Sequence, residues 1–384
     1  MRTYRVAVLG CRARGTSAAR AYQAHPRCEI VALCDRVPDL LNTLGDELGV
    51  KARYTDLDEM MRTHRPEIVA IPTGTEFHYD LSMRVLEYGA NIDVEKPMCA
   101  TLEQADEVLA KSQEKNVRIA VHHQGRTGGA MNAIINAIQA GKIGDLRHLN
   151  ASGKGYYGGY GLMNIGTHAV NAMLRVAGRC KSVTALALTG GHRVTPEDVI
   201  PAAGGMGTVL GEGITAILEF DKNVTATLLQ HRFPTGDSTA YGIELCGTEG
   251  RLLWKTSSAW WLPTPHFLPD GERDRWEQLP LTHVEEYDPE STASPDEYSY
   301  VDEYVNALDE GREHECSGIQ GRHVIEILMA ILEASAYGTL VQLPQKNRKH
   351  PLLRWRSEHG LDLPEPMARD YQKWLGEEDQ RLGR

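Results

Sequence analysis

The chain opens with an apolar run, a glycine-bounded turn and a helical pattern. Tyr4 to Leu9 fits a buried parallel strand, Gly10 to Gly15 fits a tight turn, and residues 18–24 follow with helical spacing. A second strand, Glu29 to Cys34, comes next, and strands and helices alternate up to about residue 124. This alternation predicts an α/β fold that begins with a doubly wound parallel sheet.

The pattern changes after residue 124. An amphipathic helix ends at Gly141, and the chain then shows six β-branched runs separated by turn residues. These runs are Leu146 to Gly153, Lys181 to Leu188, Ile214 to Phe220, Val224 to His231, Tyr241 to Cys246 and Gly250 to Lys255. They predict a large open, mostly antiparallel sheet, and two long helices follow at about 297–311 and 319–337.

Chain length predicts two domains, because 384 residues exceed what one core usually holds. We expect one domain at residues 1–124 and a second α/β domain at 125–345. The remaining residues, 346–384, are charged and contain prolines. They form either a surface tail or an arm that packs on a neighbouring subunit.

Composition narrows the kind of partner. The formal net charge is −11, and no basic cluster is interleaved with aromatic residues, which argues against nucleic acid. No apolar run approaches the roughly 18 residues that a membrane helix requires. We therefore expect a small-molecule partner.

The cysteines and the N-terminus predict a cytoplasmic protein. The seven cysteines lie far apart without a C-x-x-C pair, which is typical of reduced thiols. The first strand begins at about residue 4, which leaves no room for a signal peptide. A metal is not expected, because there is no His-Glu-x-x-His motif and the adjacent His122 and His123 should point to opposite faces of a strand.

The glycine turn indicates a dinucleotide site. A full G-x-G-x-x-G lets the backbone approach a pyrophosphate at a helix N-terminus, but Arg12 stands in place of the middle glycine. Arg12 or Arg14 can then neutralise phosphate directly. Asp35, at the end of the second strand, can accept hydrogen bonds from a ribose and favours NAD over NADP, although Arg36 leaves room for a 2′-phosphate.

Further polar residues follow other strands of the same predicted sheet. Ligands bind beyond the carboxyl ends of such strands. The residues at or just past those ends are Gly10, Asp35, Thr73, Glu95, Lys96, His122 and His123. Lys96, in Glu95-Lys96-Pro97-Met98, is therefore expected to meet the bound dinucleotide.

The segment from Gly153 to Asn171 is rich in glycine and tyrosine. If a helix begins near Asn164, then Asn164, His168 and Asn171 form one polar stripe. A polar stripe beside such a loop indicates a pocket. The alternative is that His168 is a hydrogen-bonded core histidine and the tyrosines are packing residues.

These motifs resemble the family of glucose-fructose oxidoreductase, inositol dehydrogenase and MocA (Gfo/Idh/MocA). The resemblance covers roughly residues 4–345, and its most specific elements are Glu95-Lys96-Pro97, Gly158 to Asn171, Gly141 to Gly144, and Gly247 to Gly250. It implies an N-terminal NAD-binding Rossmann domain and a C-terminal domain whose open sheet often serves oligomerisation. The expected substrate is a sugar, polyol or cyclitol, and the expected assembly is a homodimer or homotetramer.

The resemblance also implies roles for individual residues. Lys96 matches the catalytic lysine, and His168 matches the histidine that exchanges a proton with the substrate hydroxyl. Arg126 matches an arginine near the nicotinamide and substrate, and His78 matches a histidine of the cofactor crevice. Further candidates for contacts to substrate hydroxyls are Lys154, Tyr156, Tyr157, Tyr160, Asn171 and His323.

Two residues depart from the family pattern. Asn164 and Asn171 stand where its dehydrogenases commonly carry aspartate, and a carboxamide can orient the ring of His168 but cannot balance its charge. Either the proton takes another path or the reaction is not a simple alcohol oxidation. The residues available for another path are Lys96, Tyr156, Tyr157 and Tyr160.

Three functions follow from these observations. The first is an NAD-dependent dehydrogenase that moves a hydride between the cofactor and a carbohydrate or cyclitol hydroxyl. The alternative is a glycoside-cleaving enzyme that works by transient ring oxidation, elimination and re-reduction. The third is a sensor that binds NAD and sugar without turnover.

Overall fold

The computed structural model describes residues 2–234, 241–266, 268–365, 367–368 and 370–384. Its contacts divide the chain into two compact units. The first unit contains Met1–Cys99, Gln104–Gly128 and His283–Arg322, and the second contains Ala100–Glu103, Gly129–Thr282 and His323–Arg384. The expected division into 1–124, 125–345 and 346–384 is therefore redrawn: a late segment joins the first unit, and the C-terminal residues belong to the second.

The first third of the chain alternates strands and helices. The strands are β1 (Tyr4–Leu9), β2 (Cys28–Cys34), β3 (Arg53–Tyr54), β4 (Ile68–Ile71), β5 (Asn91–Glu95) and β6 (Ile119–His122). The helices are α1 (Ala13–Ala24), α2 (Pro38–Leu48), α3 (Leu57–His64), α4 (Thr75–Glu87) and α5 (Leu102–Lys115).

These six strands form one parallel sheet in the order β3-β2-β1-β4-β5-β6. The predicted doubly wound sheet is thus confirmed. β1 and β4 are the central pair, and their apolar side chains are almost fully buried, as expected for parallel strands covered on both faces. The carboxyl ends of all six strands share one edge, where the polar residues picked out above are placed.

The rest of the chain contributes twelve strands and seven helices to the described residues. The strands are β7 (Leu146–Ser152), β8 (Cys180–Thr189), β9 (His192–Arg193), β10 (Ile200–Pro201), β11 (Thr208–Val209), β12 (Gly213–Phe220), β13 (Thr225–His231), β14 (Gly242–Gly247), β15 (Arg251–Lys255), β16 (Ser258–Leu262), β17 (Glu277–Gln278) and β18 (Val341–Gln342). The helices are α6 (Gly129–Gln139), α7 (Gly158–Gly161), α8 (Thr167–Ala177), α9 (Pro295–Glu310), α10 (Gly318–Tyr337), α11 (Pro351–Glu358) and α12 (Tyr371–Arg381).

The second unit is built on a large open sheet. Its order is β17-β16-β15-β14-β7-β13-β12-β8-β18, with β9 also paired to β8. β7 and β13 run parallel, and the other neighbours in this order are antiparallel. The predicted mostly antiparallel sheet is therefore confirmed.

Two late segments pack where the sequence pattern did not place them. In α9, Tyr300, Val301 and Tyr304 join the apolar core of the first unit. In the C-terminal segment, Trp355 of α11 and Trp374 of α12 join the core of the second. α11 and α12 thus contribute to the core of the second unit, since burying two tryptophans removes a large apolar area from water. Within the described part of the chain, every helix is too short or too polar to span a lipid bilayer.

Candidate active site

The glycine turn between β1 and α1 is shaped by close backbone approach. Gly10 has φ +117°, a conformation that favours glycine, and its N–H donates to the Cys34 carbonyl at 2.8 Å. A Cβ on Gly15 would lie 1.9 Å from the Gly10 carbonyl oxygen. The start of α1 therefore packs against the turn without side chains between them, which leaves its first N–H groups open to a pyrophosphate.

Asp35 is fixed at the end of β2 by backbone hydrogen bonds. Its Oδ2 accepts from the Cys11 N–H at 2.7 Å and its Oδ1 from the Val37 N–H at 2.8 Å. Each carboxylate oxygen keeps further acceptor capacity, so the group can still take a ribose hydroxyl. Arg12 is exposed at the N-cap of α1. Arg36 is also exposed, and its guanidinium carbon lies 5.5 Å from the centroid of the Phe77 ring.

Thr73 and His78 occupy the next strand end, after β4. The Thr73 hydroxyl oxygen is buried and has no hydrogen-bond partner among the described residues. His78 is fully buried, its Nδ1 lies 2.8 Å from the Pro97 carbonyl, and its Nε2 lies 3.2 Å from the Thr73 carbonyl. Burial lowers the pKa of His78, so the ring is neutral and ties the residues after β5 to α4. The glycine turn, Asp35 and the unpartnered Thr73 hydroxyl fit a dinucleotide cofactor.

Arg14 pairs with two carboxylates. Its Nε lies 2.6 Å from Glu95 Oε1 and its Nη1 lies 3.0 Å from Glu297 Oε1. Burial lowers the pKa of Arg14, but the two carboxylates raise it by more. The guanidinium therefore pairs these carboxylates, and contact of Arg12 or Arg14 with phosphate stays a prediction. Glu95 also accepts from the Lys96 N–H at 2.8 Å.

Behind this pair lies a buried cluster of charges. His122 Nδ1 is 3.0 Å from Asp93 Oδ1, and His122 Nε2 is 2.5 Å from Glu297 Oε2. Burial lowers the pKa of His122, but the charges of Glu297 and Asp93 raise it well above its ordinary value, so the ring is an imidazolium. Tyr22 and Tyr300 each donate a hydrogen bond to Asp93 at 3.0 Å.

Sequence reasoning missed most of this cluster. Asp93 and Glu297 were not predicted as site residues, because their partners are distant along the chain. The available signal was Asp93 itself, an acidic residue between Ile92 and Val94 in a predicted strand of the parallel sheet. A charge at such a position requires a buried partner.

His123 and Arg126 follow β6. Burial lowers the pKa of His123 well below its ordinary value, and the positive charges of Lys96 and Arg126 lower it further, so this ring is neutral. Arg126 is buried in a short 3₁₀ turn and its Nε lies 3.8 Å from Glu315 Oε2. Lys96 thus lies within electrostatic reach of a neutral histidine and a second cation.

In the second unit, the helix that carries His168 begins earlier than expected. α7 runs into a π-helical turn, Leu162–Gly166, which runs into α8. The helical path therefore starts at Gly158, six residues before Asn164. A Cβ on Gly158 would lie 2.7 Å from the Gln230 carbonyl oxygen, and one on Gly159 would lie 2.5 Å from the Leu210 carbonyl oxygen. Only glycine permits this approach to the neighbouring strands.

The polar residues of this path meet aromatic rings. The Asn164 carboxamide nitrogen donates to the Tyr160 hydroxyl at 3.1 Å. His168 is 9% exposed, and its ring centroid lies 6.2 Å from that of Tyr241. Lys154 also approaches Tyr241, with Nζ 5.1 Å from the ring centroid. Tyr241 was not among the predicted residues, and nothing in its local sequence distinguishes it from a strand residue that packs in the core.

Three other predicted residues are placed differently from one another. Asn171 is buried on α8, one turn after His168, while Tyr156 is half-buried beside Tyr160 with ring centroids 5.7 Å apart. Tyr157 is fully buried and its hydroxyl donates to Glu378 at 3.0 Å. Its assignment to the substrate is therefore corrected, because its hydroxyl already has a buried partner.

His323 requires the same correction. Its Nε2 accepts from the Cys180 N–H at 3.3 Å, and its Nδ1 lies 3.2 Å from Glu326 Oε2. Both ring nitrogens are thus used within the core of the second unit, and a substrate contact is not supported. Across the described residues, no group of three or more His, Cys, Asp or Glu side chains is arranged to hold a metal ion.

Comparison with known proteins matches both parts of the chain. Residues 4–123 match a family model described as an oxidoreductase family with an NAD-binding Rossmann fold, and residues 153–343 match the C-terminal alpha/beta domain of that family. D-glucoside 3-dehydrogenase from Escherichia coli (strain K12) is 28% identical over 198 residues, which cover 47% of this chain and 56% of that protein.

Two further similarities complete the comparison. A glycosyl hydrolase family 109 protein from Streptomyces coelicolor is 28% identical over 153 residues, which cover 38% of this chain and 32% of that protein. The chain thus spans about half or less of the length of these curated relatives. Levoglucosan dehydrogenase, solved with NADH and levoglucosan, aligns with a TM-score of 0.74 at 18% identity over 90% of this chain and 100% of its own, which shows a shared fold.

The buried cluster yields a stability prediction. Glu297→Gln keeps the side-chain shape but removes the charge that faces His122 and Arg14. Breaking a buried pair costs about 3–5 kcal/mol, because a charge is left without its partner. We expect the free energy of unfolding, measured by urea titration, to fall by that amount. Glu310→Gln, at an exposed glutamate of the same helix that pairs with Arg312, should change it by less than about 1 kcal/mol.

The pH dependence of stability provides a second test of Glu297→Gln. The lowered pKa of Glu297 means that its contribution is present above its ordinary pKa and is lost as pH falls through the lowered value. The raised pKa of His122 means that its contribution is lost only as pH rises through the raised value. The difference in the free energy of unfolding between wild type and Glu297→Gln should therefore have its full value at about pH 6. Equal midpoints at that pH would contradict the prediction.

Proposed function

The chain belongs to the Gfo/Idh/MocA oxidoreductase family, and from this premise we propose that it is an NAD-dependent dehydrogenase of a sugar, polyol or cyclitol hydroxyl. The observation that carries the proposal is the position of Lys96. It follows β5 directly, and its N–H is held by Glu95, which Arg14 fixes in turn. Names of relatives, such as D-glucoside 3-dehydrogenase, support a carbohydrate substrate.

Lys96 is the residue that stabilises charge on the reacting hydroxyl. An ammonium beside an alcohol favours the alkoxide, and therefore favours loss of the proton as hydride leaves carbon. The neighbouring His123 is neutral, so it does not compete with Lys96 for that negative charge. Bound NAD supplies the hydride acceptor at C4 of its nicotinamide.

His168 is the proposed proton acceptor on the substrate side. Its position on α8 and its 9% exposure leave a narrow approach for a substrate hydroxyl. Tyr241 and Lys154 line the same neighbourhood, with the lysine over the tyrosine ring. A cation and an aromatic face are suited to a polyhydroxylated ring, which offers both hydroxyl oxygens and C–H surfaces.

Replacing Lys96 tests this function. Lys96→Met should abolish NADH formation from every accepted polyol and leave the Kd for NAD within a few-fold, because the lysine acts at the hydroxyl and not at the phosphates. The measurement is initial rate by absorbance together with NAD titration. Lys51→Met, at an exposed lysine of the same unit, is the matched control and should change neither quantity. Retained turnover with weakened NAD binding would place Lys96 at the cofactor.

We propose further that the enzyme is a homo-oligomer that assembles through its open sheet. β8, β12 and β13 expose a row of apolar side chains on one face. Leu186, Leu188, Ile217 and Leu229 are 44%, 37%, 52% and 40% exposed. Thr215 pairs with both Leu186 and Leu229 in the sheet register, so the patch is continuous across three strands. A continuous exposed apolar patch marks an interaction site, and a second copy is the occupant that the family resemblance favours.

The oligomer is tested by placing a charge in the patch. Ile217→Lys should shift the mass measured by light scattering from the dimer or tetramer to the monomer, because an unpaired ammonium would be buried in the interface. Leu268→Lys, at an exposed leucine that follows β16 at the other end of the sheet, should leave the mass unchanged. A monomeric wild type would refute assembly through this face.

The seven free cysteines support a cytoplasmic location for the enzyme.

A second function is favoured by one observation. Asn164 is a carboxamide held by the neutral Tyr160, so no carboxylate is available at this position to balance an imidazolium on His168. The glycosyl hydrolase family 109 relative supports the same alternative, a glycoside-cleaving enzyme that returns the hydride within each cycle.

Cofactor retention separates the two functions. For the dehydrogenase we expect no stoichiometric NAD when the purified protein is unfolded and the supernatant is analysed by mass spectrometry, because NADH must leave after each turnover. Stoichiometric NAD, together with cleavage of an aryl glycoside without added cofactor, would favour the internal cycle. The Lys96→Met variant controls for loss of NAD during purification.

A further inference from the structure

Helix α12 lies beyond the residues that match the family, which end at 343. Within the second unit it packs on the tyrosines that precede His168. The Tyr371 ring stacks on the Tyr160 ring with centroids 4.4 Å apart and an interplanar angle of 29°. Trp374 lies 6.0 Å from Tyr160 and meets Tyr157 edge-on at 5.1 Å. This chain therefore adds an aromatic layer behind the segment that leads to α8.

Buried polar contacts fix α12 in this place. The Tyr157 N–H donates to the Tyr371 hydroxyl at 2.9 Å, and the Tyr157 hydroxyl donates to Glu378. Glu378 is fully buried, and both of its oxygens lie 2.7 Å from nitrogens of Arg381. A buried carboxylate is stable only where such partners meet it. Sliding α12 along its axis would break both contacts with Tyr157, whereas the pair of Glu378 and Arg381 lies within the helix and keeps the buried carboxylate charged.

Tyr160 links α12 to Asn164. Its ring stacks on Tyr371 and lies near Trp374, both of α12, and its hydroxyl accepts from the Asn164 carboxamide. Burial raises the pKa of Tyr160 to about 12, so the hydroxyl is neutral at physiological pH. Asn164 lies in the π-helical turn Leu162–Gly166, and such turns often occur at functional sites because they change the direction of side chains. The terminal torsion of an asparagine is broad unless a hydrogen bond fixes it.

We propose that α12 is a positioning element of the substrate site: Tyr371 and Trp374 fix the Tyr160 ring, and the Tyr160 hydroxyl then fixes the Asn164 carboxamide four residues before His168. Tyr371 is a positioning residue, because it acts through Tyr160 and Asn164. The proposal rests on the proposed function in taking a polyhydroxylated molecule as the substrate. A fixed carboxamide can then donate to and accept from its hydroxyls.

A double-mutant cycle tests the chain of contacts. Tyr371→Leu removes the stacked ring while filling space, and Tyr160→Phe keeps the ring but removes the hydroxyl. Each should raise KM for an accepted polyol about three- to tenfold, the worth of one neutral hydrogen bond, and change kcat by less than about threefold. The double variant should match the single variants, because both act on one hydrogen bond. Tyr371→Phe, which keeps the stacked ring, should restore most of the wild-type KM.

Controls separate this role from general stability. Tyr337→Leu removes an aromatic contact to Trp355 of α11 in the same unit, and should leave KM unchanged. The Kd for NAD should be unchanged in all variants. An unchanged KM in Tyr371→Leu, or effects that multiply in the double variant, would overturn the proposal.

Failure of the proposed function has a different signature. If wild type oxidises no polyol, the same variants are assayed for cleavage of an aryl glycoside, where the same pattern in KM is expected. If neither activity is found, hydrogen exchange of peptides covering residues 158–168 provides the test. Faster exchange in Tyr371→Leu, reproduced in Tyr160→Phe and absent in Tyr337→Leu, supports the linkage, and exchange equal to wild type refutes it.

Discussion

Burial of charge is the constraint on which the first unit depends. Asp93 lies in the middle of β5 and is buried, and an isolated carboxylate there would be prohibitively costly. The protonated ring of His122 pairs with Asp93 through Nδ1 and with Glu297 through Nε2. Because Glu297 belongs to α9, the cluster requires a helix from far along the chain to return to the carboxyl ends of β5 and β6. The Glu297 carboxylate also pairs with Arg14, and Arg14 in turn pairs with Glu95, the residue before Lys96.

Local patterns predicted the parts of the fold that local chemistry determines. β1 was predicted with its observed bounds, because a mostly apolar run that ends at a glycine turn leaves little choice. The sequence also predicted the glycine turn and Asp35, since a positive φ at Gly10 and a carboxylate at a strand end follow from residue type and spacing. The return of α9 and the packing of α12 were not readable. Glu297 and Tyr371 become informative only when their distant partners are known, and no spacing along the chain encodes those pairings.

The misassigned residues share one physical explanation. Tyr157 and His323 are residue types that often bind ligands, and the sequence gives no measure of their burial. Each is used instead to satisfy another group of the protein: Glu378 and the Cys180 N–H respectively. A buried polar group requires a partner as strongly as a substrate does. Packing therefore decides whether a polar residue binds a ligand or satisfies another buried group, and the pattern of residues alone does not determine that packing.

The two units meet this requirement in different ways. In the first, charged groups alternate in sign from Asp93 to Glu95, so each carboxylate is held by a cation. Beside His168, the fixed pair is neutral: a carboxamide donates to a phenol whose raised pKa keeps its proton. Substituting aspartate for Asn164 would reverse the donor and acceptor of that bond, since a carboxylate can only accept. Tyr160, which stacks on Tyr371 of α12, can take either part in that bond, because a phenol hydroxyl both donates and accepts, so the side chain at position 164 sets the direction of the bond.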